Sequence, residues 1–333
     1  MDEHPALPVT GSDASRVDAA TRARLTRSAA VASISVAVLL AVLKGWAVWR
    51  TSSTAMLGSL ADTSLDLVAS VATFVGVSIA ARPADEEHRF GHGKAEAVAA
   101  MAQVILITLS AGAIAFQAVR RLMVGGATGA AADGIVVSLI AIAATLALIA
   151  WQRYVIRRTR SVAIRTDSVH YQSDLLLNVA VIAALVLDQY LGLTGADPLF
   201  GLLIAAWLLR GAWGASNQAL DHLMDREWPE ERRLAFIARA ARHPELSKLH
   251  DLRTRTSGSH DFAQFHVDLP PTMTIAEAHD IIERVEDDLT RAFPGTEVLI
   301  HIDPEGHVDE PGNELAEADE FAGLENKEPE TRT

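Results

Sequence analysis

Two short segments place metal-binding side chains inside stretches that are otherwise apolar. The first contains Asp62 and Asp66, and the second contains His170 and Asp174. The members of each pair are four residues apart, so on a helix both side chains lie on one face. Two such helices facing each other would bring three carboxylates and one imidazole together. Because this ligand set suits a tetrahedral divalent cation such as zinc, the sequence predicts a metal site between helices.

Long apolar stretches surround these residues. Half of the 333 residues are hydrophobic, and the mean hydropathy is positive. Each stretch is close to the length of about 20 residues that a membrane-spanning helix needs. Ionisable groups are costly within a bilayer, so the four ligands are candidates for a functional site. Six spans are predicted, at residues 29–49, 56–81, 95–119, 134–154, 168–190 and 198–220.

Basic residues are concentrated in alternate connections between these spans. They precede the first span and lie between the second and third and between the fourth and fifth, whereas residues 191–197 contain none. Short cytoplasmic loops carry such an excess of arginine and lysine. The sequence therefore predicts a multi-pass protein of the cytoplasmic (inner) membrane with both termini in the cytoplasm. The polar N-terminal residues lack the features of a secretory signal.

The sequence after the sixth span predicts a small α+β domain. A helix starting near Pro229 precedes two strands, residues 248–256 and 260–269, which are joined at a Ser-Gly turn. A helix over 274–293 and a strand over 296–302 complete the order αββαβ. From Glu305 onward ten acidic residues accompany two basic ones, a composition that predicts disorder. The predicted domains are a tail at 1–27, a six-helix membrane domain at 28–222, a soluble domain at 223–304 and an acidic tail at 305–333.

Two further clusters of possible metal ligands lie outside the apolar spans. Asp85, His88 and His92 fall in a short polar loop, which could bind a metal at the cytoplasmic surface or could be an ordinary charged loop. In the soluble part, an αββαβ fold can bring histidines from both early strands, the second helix and the last strand together. The chain has no cysteine, so imidazole and carboxylate must supply the ligands. The soluble candidates are His250, His266, His279, His301 and Asp303, whereas His222, His243, His260 and His307 are interpreted as surface residues.

Over residues 29–303 the sequence resembles the cation diffusion facilitators, especially the bacterial zinc and iron efflux pumps of that family. The resemblance rests on the segments at 62–66, 83–96, 170–174 (His-Tyr-Gln-Ser-Asp), 250–255 (His-Asp-Leu-Arg-Thr-Arg) and 301–304 (His-Ile-Asp-Pro). It implies six transmembrane helices, a metallochaperone-like (ferredoxin-like) cytoplasmic domain and a homodimer. It also implies export of a divalent cation in exchange for protons, which is transport and not enzymatic catalysis.

The resemblance also implies roles for the candidate residues. It places a lesser site on the loop ligands and a binuclear site, at the dimer interface, on the five soluble ligands. It pairs Lys94 with Asp225 near the junction of the two domains. It places the transport site on Asp62, Asp66, His170 and Asp174.

Protons and metal compete for such a site, because carboxylates and imidazole bind metal only when deprotonated. His170 is the best candidate proton carrier, since an unperturbed imidazole titrates near pH 6.5, about the working range. Three carboxylates and one imidazole favour zinc, with cadmium or ferrous iron also accepted. An exporter that prefers iron or manganese remains an alternative.

Other classes of protein fit the sequence less well. A membrane-anchored metal sensor has no need for ligands within its anchor, and no His-Glu-x-x-His motif supports a metal-dependent hydrolase. A channel would carry flux that does not depend on a pH gradient. The expected partners are a second copy of the chain, divalent metal ions, protons and the lipid bilayer. Nothing in the sequence predicts nucleic-acid binding.

Overall fold

The computed structural model describes residues 19–51, 54–124, 132–191, 196–258, 260–307 and 318–325. The chain forms two compact units, a helical unit over Ala19–Leu223 and a second unit that begins at Met224. The first 18 residues and most of the acidic tail lie outside the described residues.

Six long helices make up the helical unit, and each corresponds to one predicted span, the second helix ending one residue before its span does. They are 27 to 33 residues long, which exceeds the predicted spans. The extra turns contain polar and charged residues, because a helix continues past its apolar segment wherever no breaker intervenes. The helices are α1 (Ala19–Thr51), α2 (Thr54–Ala80), α3 (Ala95–Val124), α4 (Ala132–Thr159), α5 (Val162–Leu191) and α6 (Ala196–Leu223).

Five of these helices contain a stretch long and apolar enough to cross a membrane, and α5 is the exception among the described residues. The composition of α5 agrees with its position, because it contacts all five other helices of the unit. A helix enclosed by protein can carry polar and ionisable side chains that lipid would not tolerate. The central position of α5 therefore places Asp167, His170 and Asp174 within the bundle.

Small residues allow close approach of helices at two points. A Cβ added at Gly211 of α6 would lie 2.9 Å from Val169 of α5, directly beside His170. A Cβ at Gly76 of α2 would overlap with the Cβ of Ala99 on α3. Larger residues at either glycine would force the helices apart, so these contacts help to fix the positions of α5 and α2.

The second unit has the predicted order αββαβ. Its elements are α7 (Glu230–Ala240), β1 (Leu249–Ser257), β2 (His260–Leu269), α8 (Ile275–Ala292) and β3 (Thr296–Pro304). Strands β1 and β2 pair antiparallel and β2 and β3 pair parallel, in the order β1-β2-β3. Thr274 begins α8 with a capping box, in which its side chain and that of Glu277 bond to each other's backbone N–H groups. Apolar residues from both helices cover one face of the sheet.

Part of the acidic tail is ordered, contrary to the disorder expected for residues 305–333. A short helix, α9 (Glu320–Glu325), contacts α7 and β1. Phe321 and Leu324 pack against the apolar core of the unit, and Arg233 of α7 forms an ion pair with Glu320. The prediction of disorder rested on the overall composition of the tail and overlooked these two apolar side chains, which are one helical turn apart and can pack against the rest of the unit. The rest of the tail, residues 308–317 and 326–333, lies outside the described residues.

Candidate metal sites

The predicted membrane ligands come together where α2 meets α5. Nε2 of His170 lies 2.8 Å from Oδ1 of Asp66 and 3.8 Å from Oδ2 of Asp174. These three residues each offer a ligand atom within 4.8 Å of the others. Ligand atoms bound to a tetrahedral zinc at about 2.0–2.2 Å are separated by about 3.3–3.6 Å, so a small adjustment would allow all three to bind one ion.

Asp62 lies outside this group of three, although it is one turn before Asp66 on α2. Its side chain is exposed, whereas that of Asp66 is only 15% exposed. The charge of Lys44 on α1 interacts with Asp62 and with Asp174. The structure thus brings three of the four predicted ligands together and leaves the fourth beside a basic residue.

Lys44 is a residue of this site that the sequence analysis missed. Its Nζ donates a hydrogen bond of 2.6 Å to Oγ1 of Thr63. In the sequence of α2, Thr63 lies between Asp62 and Asp66. Thr63 is fully buried. A lysine inside an apolar stretch is itself a signal for a functional site, and this signal was available from the sequence.

The loop between α2 and α3 brings its three predicted ligands together. Oδ1 of Asp85 lies 3.3 Å from Nδ1 of His88, and Oδ2 lies 3.3 Å from Nε2 of His92. The backbone N–H groups of Glu87 and His88 donate to Asp85. The hydrogen bond from the His88 backbone is the main reason that the pKa of Asp85 is below its ordinary value. An ionised carboxylate flanked by two imidazoles can bind a divalent cation at the surface of the helical unit.

In the second unit, the three strands bring His250, His266 and Asp303 together. Their ligand atoms lie within 4.8 Å of one another. Oδ2 of Asp303 is 2.8 Å from Nδ1 of His266 and 3.4 Å from Nε2 of His250. His250 pairs with His266 across β1 and β2, and His266 pairs with His301 across β2 and β3. Strand register therefore creates this cluster from residues that are far apart in the sequence.

The two remaining soluble candidates lie at the edge of this cluster. His301 is 63% exposed and its Nε2 lies 3.4 Å from Oδ1 of Asp303. His279 is exposed on α8 and lines a cavity of about 490 Å³ together with Ile302 and Asp303. The strands alone therefore form one group of three ligands, and His279 and His301 are open to additional partners.

Asp268 is a further acidic residue of this cluster that the sequence analysis missed. It lies two residues after His266 on β2, so both side chains are on one face of the sheet. Oδ1 of Asp268 lies 3.7 Å from Nδ1 of His250. Both atoms are buried, and neither has a hydrogen-bond partner among the described residues. Burial raises the pKa of Asp268.

Nδ1 of His250 and Oδ1 of Asp268, the two buried atoms of this cluster without hydrogen bonds among the described residues, indicate whether the soluble cluster suits a resident metal ion. Buried nitrogen and oxygen atoms without hydrogen bonds are unfavourable unless a cation or a proton satisfies them. Metal-binding histidines commonly direct the ring nitrogen that does not bind the metal at a carboxylate. In His250, Nε2 faces Asp303 and Nδ1 faces Asp268. The donor set therefore fits a divalent cation held by His250, His266 and Asp303.

The predicted pair of Lys94 and Asp225 would connect the two units. Within the helical unit, Nζ of Lys94 donates a hydrogen bond of 3.3 Å to the backbone carbonyl of Leu223. Within the second unit, Oδ2 of Asp225 lies 3.6 Å from Nη1 of Arg255. The pairing between the units stays a prediction of the family resemblance.

Comparison with known proteins identifies the family. Residues 30–224 match the family model for the cation efflux transmembrane domain. The chain belongs to the cation efflux family. A second family model, for the cytoplasmic domain of cation efflux proteins, matches residues 228–305 of this cation efflux protein. The resemblance to the cation diffusion facilitators is thereby confirmed, as is the helical membrane domain followed by an αββαβ domain.

The relatives of this cation efflux protein are similar over most of their length. The cation-efflux pump FieF of Cronobacter sakazakii is 42% identical over 281 residues, which cover 84% of this chain and 93% of that protein. FieF of Klebsiella pneumoniae subsp. pneumoniae is 41% identical over 285 residues, covering 86% of this chain and 95% of that protein. The metal-bound C-terminal domain of the CzcD transporter from Thermotoga maritima is 22% identical, covers 25% of this chain and 99% of that chain, and has a TM-score of 0.23. The protein is thus a multi-pass membrane transporter of metal cations and not an enzyme.

Proposed function

We propose that this cation efflux protein exports a divalent metal ion, zinc foremost, across the cytoplasmic membrane in exchange for protons. The observation that carries the proposal is the convergence of Asp66, His170 and Asp174, with His170 Nε2 2.8 Å and 3.8 Å from the two carboxylates. Two oxygen ligands and one nitrogen ligand suit zinc, and they also accept cadmium and ferrous iron.

Asp62 is the fourth ligand in this proposal. It lies one turn from Asp66 on the same helix, so a rotation of the side chain or a small shift of α2 would bring it towards the ion. Lys44 acts as the countercharge for Asp62 when no metal is bound. A divalent cation that reaches the site would compete with the ammonium group for this carboxylate.

Exchange follows from competition at one site. Metal entering from the cytoplasm displaces protons from the carboxylates and the imidazole, and protons entering from outside displace the metal. Because three nearby acids titrate together, no single proton is assigned to one of them. A pH gradient, acid outside, therefore drives export.

The second unit serves in this proposal as a metal-binding regulatory domain that holds two copies of the chain together. His250, His266 and Asp303 would hold the resident ion, with His279 and His301 available for a second ion at the interface of a homodimer. The name of the family model that matches residues 228–305, ZT_dimer, supports this assembly. We further propose that Lys94 pairs with Asp225 at the junction of the units, that both termini are cytoplasmic, and that the loop ligands form a lesser site.

The decisive experiment measures zinc, manganese and ferrous iron uptake into proteoliposomes under an imposed pH gradient. Asp66→Ala is expected to abolish uptake of all three metals. Ser64→Ala is the matched control, since Ser64 is exposed on the same helix and its Oγ donates a hydrogen bond to the Leu60 carbonyl. Equal flux in wild type and Asp66→Ala would refute the site assignment. Uptake that ignores the pH gradient would favour a channel.

The same proteoliposome experiment distinguishes two alternative functions, an exporter of manganese or iron and a membrane-anchored metal sensor. Manganese or iron flux that exceeds zinc flux would make the protein an exporter of that metal. A membrane-anchored sensor would bind metal at the second unit and show no flux in wild-type vesicles.

A further inference from the structure

Asp167 is a buried carboxyl group on α5 that the transport site does not use. It lies three residues before His170 and is 0% exposed. Ser33 Oγ on α1 donates a hydrogen bond of 2.6 Å to its Oδ2. Gln103 Nε2 on α3 donates to Oδ1 and Gln152 Nε2 on α4 donates to Oδ2, each at 2.8 Å. Three neighbouring helices therefore hold one carboxyl group through neutral donors.

Among the residues that the structure describes, no lysine or arginine pairs with Asp167, and the basic group that its charge interacts with is the imidazole of His170, which is charged only when protonated. The titratable groups that interact with it are His170 and Tyr171 on α5 and Asp66 on α2. From α1, α3 and α4 the facing groups are the neutral Ser33, Gln103 and Gln152. A carboxylate that is fully buried and has no lysine or arginine beside it is costly in its ionised form, unless neighbouring hydrogen-bond donors or a bound proton stabilise it.

The two glutamines are arranged to accommodate both charge states of Asp167. Their amide nitrogens face the carboxylate, whereas Oε1 of Gln103 and Oε1 of Gln152 are buried without a hydrogen-bond partner among the described residues. A protonated carboxyl group is a donor and requires an acceptor. Rotation of either side-chain amide group by about 180° would place its oxygen close to that proton. A carboxylate with a purely structural role would have no need of spare acceptors beside it.

We propose that Asp167 is a second proton-binding site of the transporter, separate from the metal ligands. Only an O–H bond forms and breaks at this site: the proton binds from one aqueous side and leaves to the other. This inference rests on the proposed exchange of metal for protons, and it adds a carrier at which metal and proton do not compete for the same atoms.

The hydrogen bonds around Asp167 connect its charge to the helices of the transport site. Tyr171 donates to the Ser33 backbone carbonyl at 3.0 Å and lies 2.8 Å from Ser70 Oγ on α2. Gln103 also donates to Thr73 on α2 at 2.5 Å. Hydrogen bonds to an ionised carboxylate are stronger than those to a neutral acid. Protonation of Asp167 would therefore loosen α1, α3 and α4 from α5, the helix that carries His170 and Asp174.

The test uses the full-length protein in proteoliposomes that carry a zinc dye and a pH dye. Asp167→Asn keeps the shape and hydrogen bonds of the neutral acid but cannot titrate. We expect it to bind zinc within about threefold of wild type and to transport zinc down its gradient at equal pH. We also expect acceleration by a pH gradient, and the number of protons moved per zinc, to fall clearly below wild type. Ser33→Ala, which removes one donor and keeps the carboxyl group, should retain proton coupling.

Asp167→Glu separates titration from packing, because it keeps a titratable group in an altered position. Partial recovery of the pH-gradient effect in this variant would support the proposal. Full wild-type coupling in Asp167→Asn would overturn it. Loss of zinc binding in both variants would also overturn it, since Asp167 would then only support the fold. If the zinc flux of the wild-type protein did not change with the pH gradient, the proposed exchange of metal for protons would itself be refuted. That result differs from a wild-type protein whose flux depends on the gradient and an Asp167→Asn variant with full coupling.

Discussion

Nε2 of His170 lies 2.8 Å from Oδ1 of Asp66, across the contact between α5 and α2. This distance joins two residues that are 104 positions apart in the sequence. It is shorter than the 3.8 Å between His170 Nε2 and Oδ2 of Asp174. His170 supplies the one nitrogen among the proposed transport ligands, and the other three are carboxylates.

The identity of this nitrogen ligand should influence metal selectivity. His170→Asp would leave only oxygen ligands, which favour harder cations such as manganese over zinc. We expect zinc affinity to fall by about tenfold or more, with a smaller loss for manganese. Isothermal titration with both metals would measure the ratio, and Ser64→Ala serves again as the control. An unchanged ratio of zinc to manganese affinity would contradict this role.

Asp268 should contribute to metal binding in the second unit. Asp268→Asn removes the charge that faces Nδ1 of His250 at 3.7 Å. Loss of such a carboxylate beside a metal-binding histidine typically costs about 10–100-fold in affinity. The measurement is the zinc affinity of full-length Asp66→Ala protein with and without Asp268→Asn, so that the transport site does not contribute. Asp280→Asn, at an exposed position on α8, is the control. Equal affinity in all three proteins would remove Asp268 from the site.

The ion pair between α7 and α8 should make the second unit sensitive to acid. Arg239 donates to Asp288 through two nitrogens, and this is the main reason that the pKa of Asp288 is below its ordinary value of 3.8. A carboxyl whose pKa is lower in the folded state stabilises the fold above its ordinary pKa, and that stabilisation is lost as the pH falls through the folded value.

Asp288→Asn should therefore destabilise the unit at pH 7 and leave it less sensitive to acid. Because the pair is partly exposed, the expected loss is roughly 0.5–1 kcal/mol at neutral pH. Hydrogen exchange of the α7 and α8 amides at neutral and acidic pH would measure it. If Asp288→Asn lost the same amount of stability relative to wild type at both pH values, the ion pair would be excluded as the cause.

Helix α9 should protect the face of α7 that it covers. Phe321 packs against the apolar core, so Phe321→Ala would remove buried apolar surface and cost about 1–2 kcal/mol locally. We expect faster hydrogen exchange in α7 and easier proteolysis near residue 320. Ala322→Ser, at an exposed position of the same helix, is the matched control. Identical exchange in Phe321→Ala and wild type would show that the docking of α9 contributes nothing to stability.

The sequence by itself determined the features that depend on local periodicity. Apolar stretches of membrane length predicted the helices, and alternation with a Ser-Gly turn predicted β1 and β2. The spacing of four between Asp62 and Asp66, and between His170 and Asp174, placed each pair on one helix face. The predictions of the helices and of the hairpin were confirmed because each requires only the geometry of a single helix or hairpin, whereas the assignment of the four residues to one site stays a prediction.

Only the tertiary structure decided which distant polar groups meet. Asp167 is separated by 134 residues from Ser33, and no local pattern indicates that glutamines from α3 and α4 also reach it. Strand register in the second unit similarly brought Asp268 beside His250. Within the acidic tail, α9 formed where Phe321 and Leu324 pack against the apolar core, although the charge of the tail had suggested disorder. Packing across helices and strands is set by the complementary shape of many side chains together, which one-dimensional spacing does not contain.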